Sequence, residues 1–447
     1  MRVLVFHGYM LRGTGSNIYN VNLARALARL GHEVHLLCQD REVRIGGVEV
    51  HNPDIGGLLP VYVKDPYEGF EVKTFPELSE AELDRYLDAN VAAVREVAAG
   101  AGGIDLALAN HLVMGPAILA RAAVAPFAAK IHGSALEYTV KPHPRFLPFA
   151  REGMEAARGV LVGSGHTGES LWAALPDLPG LREKTRLGPP GVDVEEFRPG
   201  GEREPLVAYV GKLIVSKGVD LLLAAWPLVR AAHPRARLEI AGYGAYEEGL
   251  RRLLAALDCG DLGAAREIAR RGWALEGGGE RPLPILSAFL ADAPRGYAEQ
   301  ARAAAGSVRF VGRLEHREVA SFFPRAEAMV MPSTFPEAFG MVAVEAAACG
   351  TLPISAGHSG MLEVSRQLRS GLPEEVGALT SFAVEEGAVE AIAARIDRWL
   401  SLPEAERRRA RESLVATVAR LWSWEGVARG VLAAAAGELE DLPRPES

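Results

Sequence analysis

Short, mostly apolar runs recur along this chain with room for one helix between them, and each stops at a small or polar residue. Val3 to Phe6 stops at His7-Gly8, Asp105 to Ala109 at Asn110-His111, and Phe127 to Ile131 at His132-Gly133. Gly159 to Val162 stops at Gly163-Ser164, Leu206 to Val210 at Gly211-Lys212, and Ala328 to Met331 at Pro332-Ser333. Runs of this kind suit strands covered on both faces, which is the situation inside a parallel sheet with crossover helices. At 447 residues the chain is too long for one ordinary core. The expected fold class is therefore α/β, with two doubly wound, Rossmann-like parallel-sheet domains. The turn-rich stretch Gly188-Pro189-Pro190-Gly191-Val192-Asp193 reads as the linker. The expected division is a first domain over 1–187, a hinge over 188–204, a second domain over 205–400, and closing helices over 401–447.

Composition narrows the function classes. Hydrophobic residues make up 49% and charged residues 24%, a globular profile, and the net charge of −8 gives no general affinity for nucleic acid. It gives no support for broad attraction to anionic membranes either, although contact of one local patch with a membrane surface stays open. Cys38, Cys259 and Cys349 stand far apart, with neither zinc spacing nor a disulfide framework. A reducing, cytoplasmic setting is expected. The first residues read as a strand rather than a signal peptide, and no apolar run reaches the length of a membrane helix.

The first half opens with a βαβ unit: a strand to Phe6, a loop His7 to Ser16 with Gly8, Gly13 and Gly15, a helix near Asn17 to Leu30, and a strand Glu33 to Leu37. A dinucleotide fingerprint fits poorly, because Gly13-Thr14-Gly15 lies well past the strand end and Ile18 occupies the third glycine position. Asp40 alone keeps a nicotinamide-dependent oxidoreductase open. Candidate strands follow at Val48 to Val50 and Val61 to Val63, and a helix is expected over Leu78 to Ala99, begun at Ser79. His111, His132 and Ser164 sit just beyond strand ends, where open α/β sheets bind ligands. The other reading of each is a loop residue satisfied by backbone hydrogen bonds.

The second half centres on residues 332 to 364. A helix is expected near Phe339 to Cys349, apolar nearly all round and so buried, yet it carries Glu345. A buried carboxylate costs several kcal/mol, on the order of the penalties for burying ions, unless something pairs with it. Glu337 lies eight positions earlier (345 − 337). On one helix that spacing is about 12 Å of rise, a span that suits an extended ligand with hydroxyls at both ends and phosphate at the helix N–H groups between. Against this, Thr334-x-x-Glu337 is also a capping box, in which Glu337 only closes the helix start. Lys212 and Lys217 read either as a solvated loop or as a cationic clamp on a diphosphate.

The string Glu337-Ala338-Phe339-Gly340 through Glu345-Ala346-Ala347-Ala348-Cys349-Gly350 resembles the E-x7-E signature of retaining GT-B glycosyltransferases of the family-four type, glycosyl transferases group 1. Leu23 to Val34, Gly188 to Phe197, His132-Gly133 and Ser423-Trp424-Glu425 resemble further segments of that family. The resemblance implies two domains facing each other across a cleft, an acceptor side first, a nucleotide-sugar side second, and a last helix crossing back to the first domain. It implies transfer of a hexosyl unit with retention, from a UDP-, GDP- or ADP-sugar to an acceptor such as a small polyol, a sugar or a lipid-linked group. Catalysis is assigned to His132, Glu337, Lys212 and Lys217. The donor is assigned to Gly15, Gly211, Gly242, Arg313 and Leu314, and to Phe339, Gly340, Met341, Val342 and Glu345. Arg12, Asn17, His111 and Tyr138 are assigned to the acceptor. No metal and no cofactor beyond the donor is expected, and the chain is expected as a monomer or homodimer. A catalytically silent sugar-nucleotide-binding protein is the other class left open. Residues 245–306 exceed what the family pattern needs and read as an insertion.

Overall fold

A computed structural model describes residues 1–12, 15–62 and 67–445. The chain divides into two compact units, Met1–Gly191 with Trp422–Ser447, and Val192–Leu421.

The first unit carries strands β1 (Arg2–Phe6), β2 (Glu33–Leu37), β3 (Val48–His51), β4 (Leu58–Val61), β5 (Glu71–Thr74), β6 (Leu106–Asn110), β7 (Phe127–Ile131), β8 (Gly159–Val162) and β9 (Thr185–Leu187). Seven of them form one parallel sheet in the order β3-β2-β1-β6-β7-β8-β9. The order reverses between β1 and β6, so loops leaving these two strands diverge and open a crevice at their carboxyl ends. β4 and β5 pair separately. β4 ends at Val61, short of the strand expected over 61–63, and Val63 lies outside the described residues. Helix Glu80–Gly100 starts where the sequence indicates: Ser79 accepts from the Glu82 N–H, and Glu82 accepts from the Ser79 N–H at 2.8 Å.

One face of this sheet is buried by Leu23 and Leu27 of helix Gly15–Arg29 and by the last helix, Trp424–Ala436. That last helix lies on β6, β7 and β8. Its close approach depends on Gly159, where a Cβ would stand 2.6 Å from the Ala434 carbonyl oxygen. Trp424 is 2% exposed and meets the Tyr19 ring edge-on, with centroids 5.5 Å apart. Its indole Nε1 is buried without a hydrogen-bond partner.

The second unit carries β10 (Leu206–Val210), β11 (Arg237–Ala241), β12 (Val308–Gly312), β13 (Ala328–Met331), β14 (Leu352–Ala356) and β15 (Ser381–Phe382). They form one parallel sheet in the order β12-β11-β10-β13-β14-β15, reversing between β10 and β13. This is the doubly wound order of dinucleotide-type folds. Helix Met341–Ala348 begins two residues later than expected. Helix Glu404–Leu421 packs on it and belongs to this second unit, whereas Trp422 onward belongs to the first. Between β11 and β12 stand helices Glu247–Asp258, Leu262–Arg271, Pro284–Ala291 and Tyr297–Ala304. The third was not read from the sequence. It is two turns long and starts on a proline, whose missing N–H costs nothing in the first turn. Among the described residues no helix is long and apolar enough to cross a membrane.

Trp424→Ala is expected to lower the unfolding free energy by about 3–5 kcal/mol, the cost of a large cavity. Trp424→Phe should cost less, because it keeps the ring contact and removes an unpaired donor. Urea unfolding measures both, and equal midpoints for wild type and Trp424→Ala would mean that this helix does not carry the first core.

Candidate active site

Four segments leave the carboxyl ends of β10, β11, β13 and β14 and meet beside the reversal in the second sheet: 211–218, 242–244, 332–340 and 357–360. Their approach is closer than side chains allow. Gly218 has φ +65°, and a Cβ there would lie 2.1 Å from the Pro332 carbonyl oxygen. A Cβ on Gly242 would lie 1.9 Å from the Gly211 carbonyl oxygen. The Thr334 N–H donates to the Ser216 carbonyl at 2.9 Å and the Leu213 N–H to the Tyr243 carbonyl at 2.8 Å.

Glu337 sits in the middle of this knot. Its Oε1 accepts from Lys217 Nζ and, at 2.8 Å, from Ser333 Oγ. Its N–H donates to Ser359 Oγ at 2.9 Å, and its carbonyl accepts from the Gly360 N–H at 3.0 Å. His358 Nε2 donates to the Ser333 carbonyl at 2.8 Å, which leaves Nδ1 to accept from Ser359 Oγ at 3.1 Å. The capping box of Thr334 and Glu337 does not form. The helix starts at Met341 behind Gly340, whose φ of +100° is open to glycine and costly for other residues. Glu337 therefore lies before the helix, and the 12 Å rise expected between the two acids does not describe this backbone. Lys217, expected at a diphosphate, is paired with Glu337, both side chains about a quarter exposed.

Glu345 lies within the helix, 6% exposed. Burial pushes its carboxyl up to about 8, with the negative charge of Glu196 adding to the shift. His316 Nε2 lies 4.0 Å from its Oε1, the imidazole edge-on to the Phe197 ring. Met341 and Val342 are half-buried at the helix start, and Phe339 is buried before it. Arg313 lies over the Tyr243 ring, 5.2 Å from its centroid, and pairs with Glu315 at 3.1 Å. Leu314 is half-buried next to it. Lys212 is half-buried, and its carbonyl accepts from the Tyr209 hydroxyl at 2.9 Å.

In the first unit a second polar group forms beside the β1/β6 reversal. Asn110, at the end of β6, accepts from His132 Nε2 at 2.7 Å and exchanges amide hydrogen bonds with Asn20 at 2.7 and 3.2 Å. Asn20 also donates to His7 Nδ1 at 3.0 Å, and His7 Nε2 donates to Asn17 Oδ1 and to the Met10 carbonyl, each at 3.0 Å. These partners assign a neutral imidazole to His7, Nδ1 accepting and Nε2 donating. Burial agrees, taking His7 down to about 4 and His132 and His111 well below the ordinary range. His111 has φ +67°, is 2% exposed, and neither ring nitrogen has a hydrogen-bond partner among the described residues. It lies among Tyr62, His132, His7 and Tyr9.

Of the remaining expected residues, Arg12 joins this network through its backbone, its carbonyl accepting from Asn17 Nδ2 at 2.6 Å. Arg12 pairs with the buried Asp40 at 3.1 Å and with Glu42, so the acid considered for a nicotinamide ribose is already occupied. Ser164 caps helix Gly165–Ala174. Gly15 opens helix Gly15–Arg29, while Gly13 and Thr14 lie outside the described residues. Tyr138 is 46% exposed, and among the described residues the network does not reach it. Sequence reasoning missed His7, Asn20, Asn110, Ser333, Ser359 and Tyr243. His7 ends β1 as His132 ends β7, so the strand-end rule applied there would have found it.

Residues 194–261 and 297–414 match the family of glycosyl transferases group 1, and residues 13–196 match glycosyltransferase family 4. The chain belongs to this glycosyltransferase family and has the GT-B fold. Stretch 262–296 falls between the matched segments. The chain is 30% identical to glycogen synthase of Mycobacterium tuberculosis over 60% of its length, and spans about half (52%) of that enzyme. It is 29% identical to the D-inositol 3-phosphate glycosyltransferase of Frankia alni, covering 94% of this chain and 93% of that one. Among solved structures, sucrose-phosphate synthase of Thermosynechococcus elongatus superposes with a TM-score of 0.64 at 20% identity, covering 98% and 99% of the two chains. Anabaena Alr3699/HepE in complex with UDP gives 0.62 at 15% identity, covering 98% and 100%.

The three buried imidazoles set an acid limit. Each binds its proton less readily folded than unfolded, where the ordinary value is about 6.5, so their contribution is complete above that pH and is lost as pH falls toward about 4. Unfolding free energy measured against pH should fall over this window, and His7→Asn should flatten the slope; an unchanged slope would mean the network is not proton-linked.

Proposed function

We propose that the protein is a retaining hexosyltransferase, taking the sugar of a nucleoside-diphosphate donor held by the second unit to a hydroxyl of an acceptor held by the first. The observation that carries this reading is the pair of acids. One is bonded to Lys217 and Ser333 within the loop knot, and the other is buried on the helix just behind it, with no Lys or Arg ion pair among the described residues. Glu345 is the group for the two ribose hydroxyls, since its carboxylate needs the donors that burial denies it. Arg313 and Tyr243 offer a flat cationic face beside which a nucleobase fits. Lys212, Lys217 and the helix start at Gly340 stabilise the diphosphate as charge develops on it. Glu337 contacts the sugar, its orientation fixed by Lys217 and Ser333. His132, kept neutral by burial beside His111 and Lys130, cannot serve as a proton donor at neutral pH, and the carbonyl near it helps the sugar ring carry positive charge. With amides and neutral imidazoles around His132, the acceptor proton goes to the leaving phosphate on the same face of the sugar. Frankia's inositol-phosphate enzyme and the UDP complex of the Anabaena protein support a nucleotide donor and a polyol-type acceptor.

Two outcomes test the acids separately. Below about pH 8 Glu345 is protonated in the free protein. Ribose hydroxyls that donate to it favour the ionised form, so binding of UDP, GDP or ADP at neutral pH releases a proton, and affinity rises with pH until about 8. Calorimetry in buffers of different ionisation heat reads this; no release, together with unchanged binding by Glu345→Gln, would remove Glu345 from the nucleotide. Glu337→Gln keeps the shape and most hydrogen bonds. It is expected to leave nucleoside diphosphate affinity nearly unchanged and to slow transfer about ten- to hundred-fold, the loss of one charge-assisted contact. Wild-type turnover in this variant would make Glu337 a structural residue.

A further inference from the structure

The exposed edge of the first sheet carries a cluster that the transfer reaction does not use. β3 is the edge strand and pairs with β2 in parallel, with His35 opposite Glu49 and Leu37 opposite His51. Side chains alternate across a strand, so Glu33, His35, Glu49 and His51 project from one face of this pair. His35 Nδ1 and His51 Nε2 are 3.1 Å apart. His35 Nδ1 is 3.4 Å from Glu49 Oε2, and His51 Nε2 is 3.7 Å from Glu49 Oε1. His35 is buried, His51 half-buried and Glu49 exposed.

The three residues bring four donor atoms together, His35 Nδ1, His51 Nε2 and the two oxygens of Glu49, each ring facing a different oxygen of that carboxylate. Zinc binds imidazole nitrogen at about 2.0–2.1 Å and carboxylate oxygen at about 2.0–2.2 Å, and the edge of a tetrahedron of that size is about 3.3–3.5 Å. The His35–His51 and His35–Glu49 distances lie within a few tenths of an ångström of that edge, and one ligand atom from each of the three residues can be chosen with all of them within 4.8 Å of one another. The remaining direction is open on the side of the exposed Glu49 and would take a water.

An independent feature sets the tautomer. The other nitrogen of His35, Nε2, lies 3.2 Å from Glu33 Oε1, and Glu33 Oε2 lies 3.7 Å from Arg2. A carboxylate on the far nitrogen keeps the proton at Nε2 and turns the Nδ1 lone pair toward His51 and Glu49. That is the outer-shell arrangement which orients metal-ligating histidines. Without a cation, the His51 proton bridges the two rings. A divalent cation takes the place of that proton, which moves to His51 Nδ1 so that the ring stays neutral, and gains the charge of Glu49.

We propose that His35, His51 and Glu49 form a site for a divalent transition metal of the zinc class, with Glu33 as the positioning residue. The ion would tie the edge strand to its neighbour, where parallel pairing ends and the strand has no further partner in the sheet. The inference is independent of the sugar-transfer reading and requires no activity assay.

The experiment uses the full chain without a polyhistidine tag, stripped of metal with a chelator and titrated with zinc chloride by calorimetry. One equivalent is expected to bind, and thermal unfolding should shift upward with free zinc as ligand linkage requires. His51→Ala and Glu49→Gln, both on the accessible side, should abolish that equivalent while the chain stays folded. Glu33→Gln leaves the three ligands in place and should weaken zinc binding about 10- to 100-fold, the usual effect of losing an outer-shell partner. Cobalt(II) in place of zinc should give the visible absorption of a tetrahedral site in wild type and lose it in His51→Ala. Absence of a stoichiometric equivalent in wild type, or zinc binding by His51→Ala and Glu49→Gln equal to wild type, would overturn the proposal.

Discussion

Lys217 and Glu337 leave the ends of two different strands and meet head to head, and the local order of the second unit depends on that meeting. The pair is about a quarter exposed, so its Coulomb energy is screened and its contribution to stability is small. Its consequence is geometric. A lysine on a loop and an acid on a loop stay together only if their backbones are brought within a few ångströms, and Gly218 does this by lying flat against the Pro332 carbonyl. Ser333, Ser359 and His358 then take up the remaining hydrogen bonds of the two segments. A side chain at Gly218 would force the loops apart and release both charged groups to solvent.

Glu337 and Glu345 belong to one sequence motif but occupy opposite electrostatic situations. Glu337 is bonded by Lys217 and a hydroxyl and is partly exposed to water. Glu345 is desolvated, with a negative neighbour in Glu196 and a histidine no closer than 4.0 Å. A shift of a few pKa units on such a group is several kcal/mol, on the order of 1.4 per unit, held against ionisation. A ligand that donates to Glu345 recovers part of that cost, so the strain of burying the acid becomes selectivity for hydroxyl donors. The same acid placed on the rim would bind less discriminately.

Much of this was legible from residue order. Apolar runs such as Ala328 to Met331 announced their strands because strands covered on both faces must be apolar throughout. What was not legible depends on residues brought together from distant strands. Asn110 and Asn20 are ordinary polar residues in sequence; only the β1/β6 adjacency shows that they join His7 to His132. The start of the central helix was misplaced because Phe339 and Gly340 continue the apolar pattern, while Gly340 takes a φ of +100° that no pattern reveals. The third helix of the insertion was missed because eight residues carry too little periodicity to read. His35, Glu49 and His51 are unremarkable until the parallel register sets them side by side.

The interiors of both polar groups are uncharged at neutral pH. Glu345 holds its proton, while His7, His111 and His132 have shed theirs, and the ion pairs lie apart from these groups, in Lys217 with Glu337 and in Arg12 with the buried Asp40. Ionising any of the buried groups alone would cost several kcal/mol, of the order expected for an unpaired charge in a poorly solvated setting. Hydrogen-bond capacity without charge is cheaper to bury and stays available to a ligand. His111 is the extreme case: a positive φ, a buried ring, and two nitrogens with no partner among the described residues. A backbone held in that conformation by its surroundings keeps the imidazole in place at a cost of about 1–3 kcal/mol. Relaxing it would turn the ring away from the crevice that the reversal of strand order creates, so the strain and the unmet hydrogen bonds have one common explanation in the fixed position of that ring.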